Sequence, residues 1–89
     1  MRNITVVGLG KVGSLVGTLL SEIFKVRGVD QREPSGSTSF DVVTGDVADQ
    51  QFLATALSGQ DAVVSCLPYY LNLKVAEVAY QLGIHYFDL

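Results

Sequence analysis

The chain has 89 residues, nearly half of them apolar, and a formal net charge of -3 at pH 7, so it fits one domain. Its six basic residues are scattered, which argues against a nucleic-acid surface and a polybasic membrane patch. The single cysteine, Cys66, excludes an internal disulfide and a cysteine-pair metal site, and with no membrane-length apolar run a cytoplasmic location is expected.

Strand-like and helix-like segments alternate from the start of the chain. Ile4, Val6 and Val7 lie in a β-branched run that predicts a buried parallel strand. The next apolar residues recur at three- and four-residue steps, which predicts one face of a helix: Val12, Leu15, Val16, Leu19, Leu20 and Ile23. Residues 26–30 predict a second strand, and residues 31–39 predict a polar loop without a helix.

The second half continues the alternation. Residues 40–45 predict a third strand, and a short helix follows that begins at Asp49 or the residue before it. The apolar positions of this helix are Phe52, Leu53, Ala56 and Leu57. Residues 61–67 predict a fourth, buried strand, and residues 85–89 a fifth. The helix between them ends at Gly83 and has the apolar positions Leu71, Val75, Val78, Ala79 and Leu82.

This alternation predicts an α/β fold of the Rossmann type, a three-layer domain with an open parallel sheet. The predicted strand order is 3-2-1-4-5, with right-handed crossovers. The helix between strands 2 and 3 is replaced by the loop 31–39, which is near the shortest crossover that the geometry permits. Since no opposite wall for a substrate follows the fifth strand, residues 1–89 are expected to be one domain of a longer chain that carries a substrate domain.

Residues 8–13, GLGKVG, match the pattern G-x-G-x-x-G. In this pattern Gly8 permits a tight turn, Gly10 lets a pyrophosphate approach the backbone, and Gly13 lets the helix lie close to the sheet. The backbone N–H groups that open the helix, around Lys11 and Val12, are suited to hold phosphates. The alternative is a plain glycine turn that binds nothing.

An acidic residue at the end of the second strand completes the pattern. Asp30 follows the glycines by about 20 residues, the spacing of a dinucleotide-binding fingerprint. Its carboxylate would accept from the adenosine ribose hydroxyls, which favours NAD. Arg32, next to Gln31, would instead pair with the 2′-phosphate of NADP, or is a solvated loop charge. The sequence therefore predicts a site for NAD or NADP, with NAD preferred.

Other candidates lie at the carboxyl ends of the third and fourth strands, where ligands of this fold bind. Asp46 would accept from the adenine amino group and the Val47 N–H would face the ring, or Asp46 simply caps the next helix. The backbone of Cys66, Leu67 and Pro68 is expected to line the cofactor. Cys66 is expected to be a small buried hydrophobe, because no base accompanies it as a nucleophile would require.

The remaining polar residues near these strand ends allow two interpretations each. Tyr69, Tyr70 and Asn72 would touch the cofactor or substrate, or would staple and cap the following helix. His85, inside a short strand, is expected to be structural. Asp88, at the end of that strand, is a candidate for a role near the nicotinamide, and the sequence assigns no catalytic acid or base.

The stretches DAVVSCLPYYLN (61–72) and GIHYFDL (83–89) resemble the saccharopine dehydrogenase-like family, which includes lysine dehydrogenases, saccharopine reductases and carboxynorspermidine dehydrogenases. The resemblance covers the whole chain and departs at residues 31–39, where the family usually has a helix. It implies the N-terminal NAD(P)-binding domain of an oxidoreductase that acts on the C–N bond of an amino acid or polyamine. It also implies that a second domain holds the substrate.

A non-catalytic alternative is the nucleotide-sensing domain that regulates potassium transport. That class shares the order of elements and a Gly-Asp-x-x-Asp stretch like residues 45–49, but the Leu-Pro-Tyr-Tyr turn is not expected of it. The expected partners are thus a dinucleotide and, through the missing domain, a small amino-acid-like substrate, with no nucleic acid and no membrane. The oligomeric state is open, with a homodimer as one option.

Overall fold

Strands and helices alternate through the whole chain in the computed structural model, which describes residues 1–89. The elements are β1 Asn3–Val7, α1 Lys11–Leu20, β2 Lys25–Asp30, β3 Asp41–Thr44, α2 Gln50–Leu57, β4 Ala62–Ser65, α3 Tyr69–Leu82 and β5 His85–Asp88. All strands pair in parallel, in the order β3-β2-β1-β4-β5. The predicted Rossmann-type topology is therefore confirmed, and residues 31–39 contain no helix, as expected.

The strand ends differ from the predicted bounds at several places. The third strand is shorter than residues 40–45 at both ends, and the fourth is shorter than residues 61–67 by one residue at its start and two at its end. The backbone N–H groups of Gly45, Asp61 and Cys66, just outside the two strands, still donate to neighbouring strands at 2.8–3.0 Å. The apolar pattern overestimated the strands because it reports burial rather than pairing. Phe40 lies in the smaller core and Leu67 packs against the larger one, although neither residue is in a strand.

Two cores lie on opposite faces of the sheet because neighbouring strand residues point in opposite directions. The larger core includes Val7 and receives the buried faces of α2 and α3. The smaller core includes Val6 and is covered by α1. No helix of the chain is long and apolar enough to cross a membrane.

The face of α1 that contacts the sheet agrees only in part with the predicted one. The buried positions are Gly13 and Gly17, while four residues of the predicted apolar face are largely exposed: Val12, Leu15, Leu19 and Ile23. Val12 is 58% exposed and Ile23, beyond the helix end, is 79% exposed. Val16 and Leu20, the other two residues of the predicted face, do pack against the smaller core. The remaining four are exposed because α1 lies so close to the sheet that Gly13 and Gly17 occupy the closest contact.

Phe40 explains how the sheet tolerates a crossover without a helix. Its ring packs against the backbone of α1 and β2, where Cβ atoms added to Gly17 and Gly28 would lie 2.8 and 2.6 Å from ring atoms. Phe40 itself is buried in the smaller core together with Leu9. The aromatic ring thus covers part of the sheet face that a second helix would cover.

The ends of α2 and α3 follow local sequence signals. Asp49 caps α2, and its Oδ1 accepts from the backbone N–H groups of Gln51 and Phe52 at 2.9 and 3.2 Å. Gly83 ends α3 in the left-handed conformation at φ +72°, as a C-terminal glycine commonly does. Leu82, predicted on the apolar face of α3, is instead 40% exposed because it lies in this last turn.

Asp61 ties the amino-terminal edge of the sheet together. Its Oδ2 accepts from the backbone N–H groups of Asn3 and Arg2, both at 2.8 Å. These two hydrogen bonds lower the pKa of the Asp61 carboxyl below its usual value, and the one from Asn3 has the larger effect.

Asp61 is therefore expected to contribute to the pH dependence of stability. Because the pKa is lower in the folded state, its contribution is present above the unfolded pKa, about 3.9, and is lost as the pH falls through the folded value. We expect Asp61→Asn to melt at a lower temperature than the wild type at pH 7. The gap should narrow as the pH falls below about 4, and a gap independent of pH would contradict this assignment.

Candidate functional site

The carboxyl ends of β1, β2 and β4 meet where the strand order reverses, the usual ligand position in open α/β sheets. After β1, the Gly8 N–H donates to the Val29 carbonyl oxygen of β2 at 2.8 Å. On the other side, the Cys66 N–H donates to the Val7 carbonyl oxygen at 2.8 Å. The loop from Gly8 to Gly10 is thus held between the two neighbouring strands.

Each glycine of this loop meets a different steric demand. Gly8 has φ +93°, a region that L side chains rarely adopt, and this lets the chain turn out of β1. A Cβ at Gly13 would lie 1.7 Å from the Gly8 carbonyl oxygen, so α1 can start here only without a side chain. A Cβ at Gly10 would meet nothing within 4 Å. The space above Gly10 is open, which fits a group that approaches this backbone from outside the chain.

Asp30 points its carboxylate at the glycine loop. Its Oδ2 accepts from the Leu9 N–H at 2.6 Å, and its Oδ1 accepts from the Gln31 N–H at 2.6 Å. The acidic group therefore lies beside the start of α1 and is only half-buried. Ionised carboxylate oxygens have further acceptor capacity, which suits paired hydroxyl groups of a ribose.

An open groove runs from this point along α1. Its first part, about 350 Å³, is lined by Gly10, Lys11, Ser14 and Ser35, together with Leu9 and Pro34. It continues into a second part of about 430 Å³ between α1 and the loop 31–39, where most lining residues carry hydroxyl groups. A smaller cavity of about 120 Å³ lies at the amino-terminal ends of β1, β2 and β3 and is remote from the glycine loop.

Asp46 lies in the turn after β3 and is exposed. Its Oδ1 accepts from the Ala48 N–H at 2.9 Å and from the Gln31 side-chain amide at 3.4 Å. The interpretation of Asp46 as a helix cap was wrong, because Asp49 caps α2. Val47 buries its side chain in the larger core. Arg32, in the loop after β2, is exposed.

The turn after β4 closes the other side of the glycine loop. Cys66 is half-buried rather than fully buried, and its Cβ is 3.4 Å from the position of a Cβ at Gly13. Burial raises the pKa of the Cys66 thiol, which keeps it protonated and a poor nucleophile. A Cβ at Gly8 would lie 3.0 Å from a Leu67 methyl carbon, and Pro68 precedes α3 directly.

The aromatic pair after Pro68 belongs to the first turn of α3. Tyr69 is 86% exposed and packs edge-to-face with Tyr70, with 6.5 Å between ring centroids, so neither staples the helix to the core. No side chain caps α3. His85 is the first residue of β5, within the predicted strand, and its side chain is exposed. Its backbone N–H donates to the Asp61 carbonyl oxygen at 3.2 Å.

A polar network that the sequence analysis did not predict joins β4, α3 and β5. The Ser65 hydroxyl donates to Asn72 Oδ1 at 2.6 Å, and both residues are buried. The Tyr86 hydroxyl lies 3.4 Å from the Asn72 carbonyl oxygen and donates to Asp88 Oδ2 at 3.0 Å. Burial, and then the hydrogen bond to Asp88, raises the pKa of Tyr86 to about 12. The available signal was a polar Asn72 inside an otherwise apolar helical face.

The residues at the sheet edge therefore fit a dinucleotide. The structure brings together the glycine loop, Asp30 and the turn 66–68. Asp46 contacts only Gln31 and its own turn, and Arg32 is exposed. No group of three or more His, Cys, Asp or Glu side chains is placed to hold a metal ion. The arrangement offers groups that can bind a nucleotide.

Comparison with known proteins also indicates a domain that binds NAD or NADP. A sequence model described as the saccharopine dehydrogenase NADP binding domain matches residues 4–89. The saccharopine dehydrogenase (L-Glu forming) from Saccharomyces cerevisiae, solved in the apo form, is 23% identical with a TM-score of 0.83, and the match covers 99% of this chain and 21% of that one. A Rossmann-fold NAD(P)-binding family protein from Shigella flexneri is 20% identical, with a TM-score of 0.77 and coverage of 97% and 50%.

A third structure contains a nucleotide. The short-chain dehydrogenase/reductase superfamily protein from Agrobacterium tumefaciens, solved with bound NAD, is 26% identical with a TM-score of 0.80. The match covers 98% of this chain and 32% of that one. The present chain thus spans from about a fifth to a half of the length of these three proteins.

Proposed function

Since the chain belongs to the saccharopine dehydrogenase family as its NAD(P)-binding domain, we propose that it serves an oxidoreductase that acts on the C–N bond of an amino acid or polyamine-type substrate. The bound nicotinamide supplies the chemistry by accepting or giving a hydride. The turn Leu67–Tyr70 and the ending 83–89 support this substrate class by their resemblance to the family. A separate domain would hold the substrate, and a cytoplasmic location fits the lone cysteine.

The observation that carries the proposal is the contact between Asp30 and the glycine loop. The Leu9 N–H donates to the Asp30 carboxylate at 2.6 Å, so the groups for a ribose and for a pyrophosphate are neighbours. The free N–H groups at the start of α1, at Lys11 and Val12, would hold the pyrophosphate, and the open space at Gly10 admits it.

We further propose that NAD is preferred over NADP. The Asp30 carboxylate would accept from the hydroxyl groups of the adenosine ribose and would repel a 2′-phosphate at that position. Arg32 favours NADP instead, because its exposed side chain follows Asp30 by two residues and could pair with a 2′-phosphate. The preference depends on which of these two charges lies nearer to the ribose.

A Gly10→Ala substitution tests the dinucleotide site. Because an added Cβ meets nothing within 4 Å and Gly10 has φ -68°, the folded chain should tolerate it, with an unchanged melting temperature. The methyl group should obstruct the pyrophosphate and weaken NAD binding about tenfold or more, measured by isothermal titration calorimetry. Wild-type affinity in this variant, or no binding of either NAD or NADP by the wild type, would contradict the proposed function.

A further inference from the structure

The register of the sheet places two carboxylates on opposite sides of the glycine loop. Val7, the last residue of β1, is level with Val29 in β2 and with Ser65 in β4, and Ser65 is level with Asp88 in β5. Adjacent strands lie about 4.8 Å apart. Asp88 is therefore about 10 Å from the end of β1 on one side, and Asp30 is one strand away on the other.

This spacing assigns a direction to a bound dinucleotide, and the inference here rests on the proposed function. If the pyrophosphate lies at the start of α1 and the adenosine ribose at Asp30, the other half must extend over the ends of β4 and β5. Asp88 is the only acidic side chain at the carboxyl ends of these two strands. Within residues 1–89 its side chain is exposed.

The Asp88 carboxylate is held in a defined orientation. Tyr86 donates its hydroxyl proton to Asp88 Oδ2 at 3.0 Å and lies against the buried pair Ser65 and Asn72. Because the pKa of Tyr86 is raised to about 12, the hydroxyl remains a donor throughout the physiological range. The other carboxylate oxygen of Asp88 accepts no hydrogen bond from the chain and retains its acceptor capacity.

We propose that Asp88 accepts a hydrogen bond from the carboxamide NH₂ of the nicotinamide, and that Tyr86 is the positioning residue for this contact. The nicotinamide carboxamide carries two N–H donors, and an ionised carboxylate is an acceptor only. The contact selects the amide side of the ring, so it orients the face of the nicotinamide that exchanges hydride. Asp30 and Asp88 thereby recognise the two ends of one ligand.

The test compares three nucleotides that differ at this end. NAD⁺ has the carboxamide, 3-acetylpyridine adenine dinucleotide replaces its NH₂ by a methyl group, and ADP-ribose lacks the ring. The wild type should bind NAD⁺ about fivefold to tenfold more tightly than the acetylpyridine analogue, the ratio expected for one hydrogen bond to a charged group at an exposed position. Asp88→Ala should remove this difference and leave ADP-ribose binding unchanged.

Two further variants separate the contact from fold and charge. Tyr86→Phe keeps the ring, so it should retain the melting temperature while reducing the preference for NAD⁺ over the analogue about threefold. Glu77→Ala removes an exposed charge from α3 and should change none of the three affinities. Equal losses for NAD⁺ and ADP-ribose in Asp88→Ala, or no preference in the wild type, would overturn the inference alone. If the wild type binds none of the three nucleotides, the proposed function is overturned as well.

Discussion

Gly13→Ala is expected to lower the free energy of unfolding by about 3 kcal/mol and to abolish dinucleotide binding. The added Cβ would lie 1.7 Å from the Gly8 carbonyl oxygen and 2.8 Å from its carbon. Both atoms are backbone, so no side chain can rotate away and α1 must move off the end of β1. Overpacking typically costs about 1–3 kcal/mol, and a clash between backbones belongs at the upper end of that range.

Chemical denaturation and a nucleotide titration on the same variant measure both effects. Gly10→Ala is the matched control, because it adds the same methyl group three residues earlier in open space. The control should lose affinity without losing stability, whereas Gly13→Ala should lose both. A Gly13→Ala variant with wild-type unfolding and wild-type affinity would show that α1 does not begin this close to β1.

Asp30→Ser is expected to shift the ratio of NAD to NADP affinity toward NADP by at least tenfold, about 1.4 kcal/mol. Each charge-assisted hydrogen bond from a ribose hydroxyl to the carboxylate contributes about 1.5–3 kcal/mol, and the variant loses these for NAD. The same change removes the repulsion of a 2′-phosphate. Because Asp30 also accepts from Leu9 and Gln31, a melting curve must show that the glycine loop is retained.

The double variant Asp30→Ser with Arg32→Ala identifies the cation. If Arg32 pairs with the 2′-phosphate, its loss should cancel the gain in NADP affinity that the single variant shows. Asp41→Ser is the control for net charge, because Asp41 is exposed at the amino-terminal end of β3, three residues along the strands from the level of Asp30. If the wild type already prefers NADP, or if Asp30→Ser leaves the ratio unchanged, Asp30 does not set the cofactor preference. The loop 31–39, with Arg32, would then be the element that sets it.

The order of elements and the geometry of the glycine loop were predictable because both depend on local patterns. Alternating strand and helix signals leave few parallel topologies, and right-handed crossovers then set the strand order. The glycines at 8, 10 and 13 and the acidic Asp30 act through the backbone and through spacing along the chain. The absence of a helix at residues 31–39 was equally local, because Pro34 and Gly36 interrupt any helical register.

The sequence by itself therefore determined the strand order, the glycine loop and its acidic partner, and tertiary structure decided which surfaces meet. Helical periodicity defines an apolar face for α1, but the distance of closest approach selected Gly13 and Gly17 for the contact and left Val12 and Ile23 exposed. The network from Ser65 to Asp88 depends on three elements that are separate in sequence. No local pattern encodes such a contact, because it exists only after β4 and β5 have paired and α3 has packed on them.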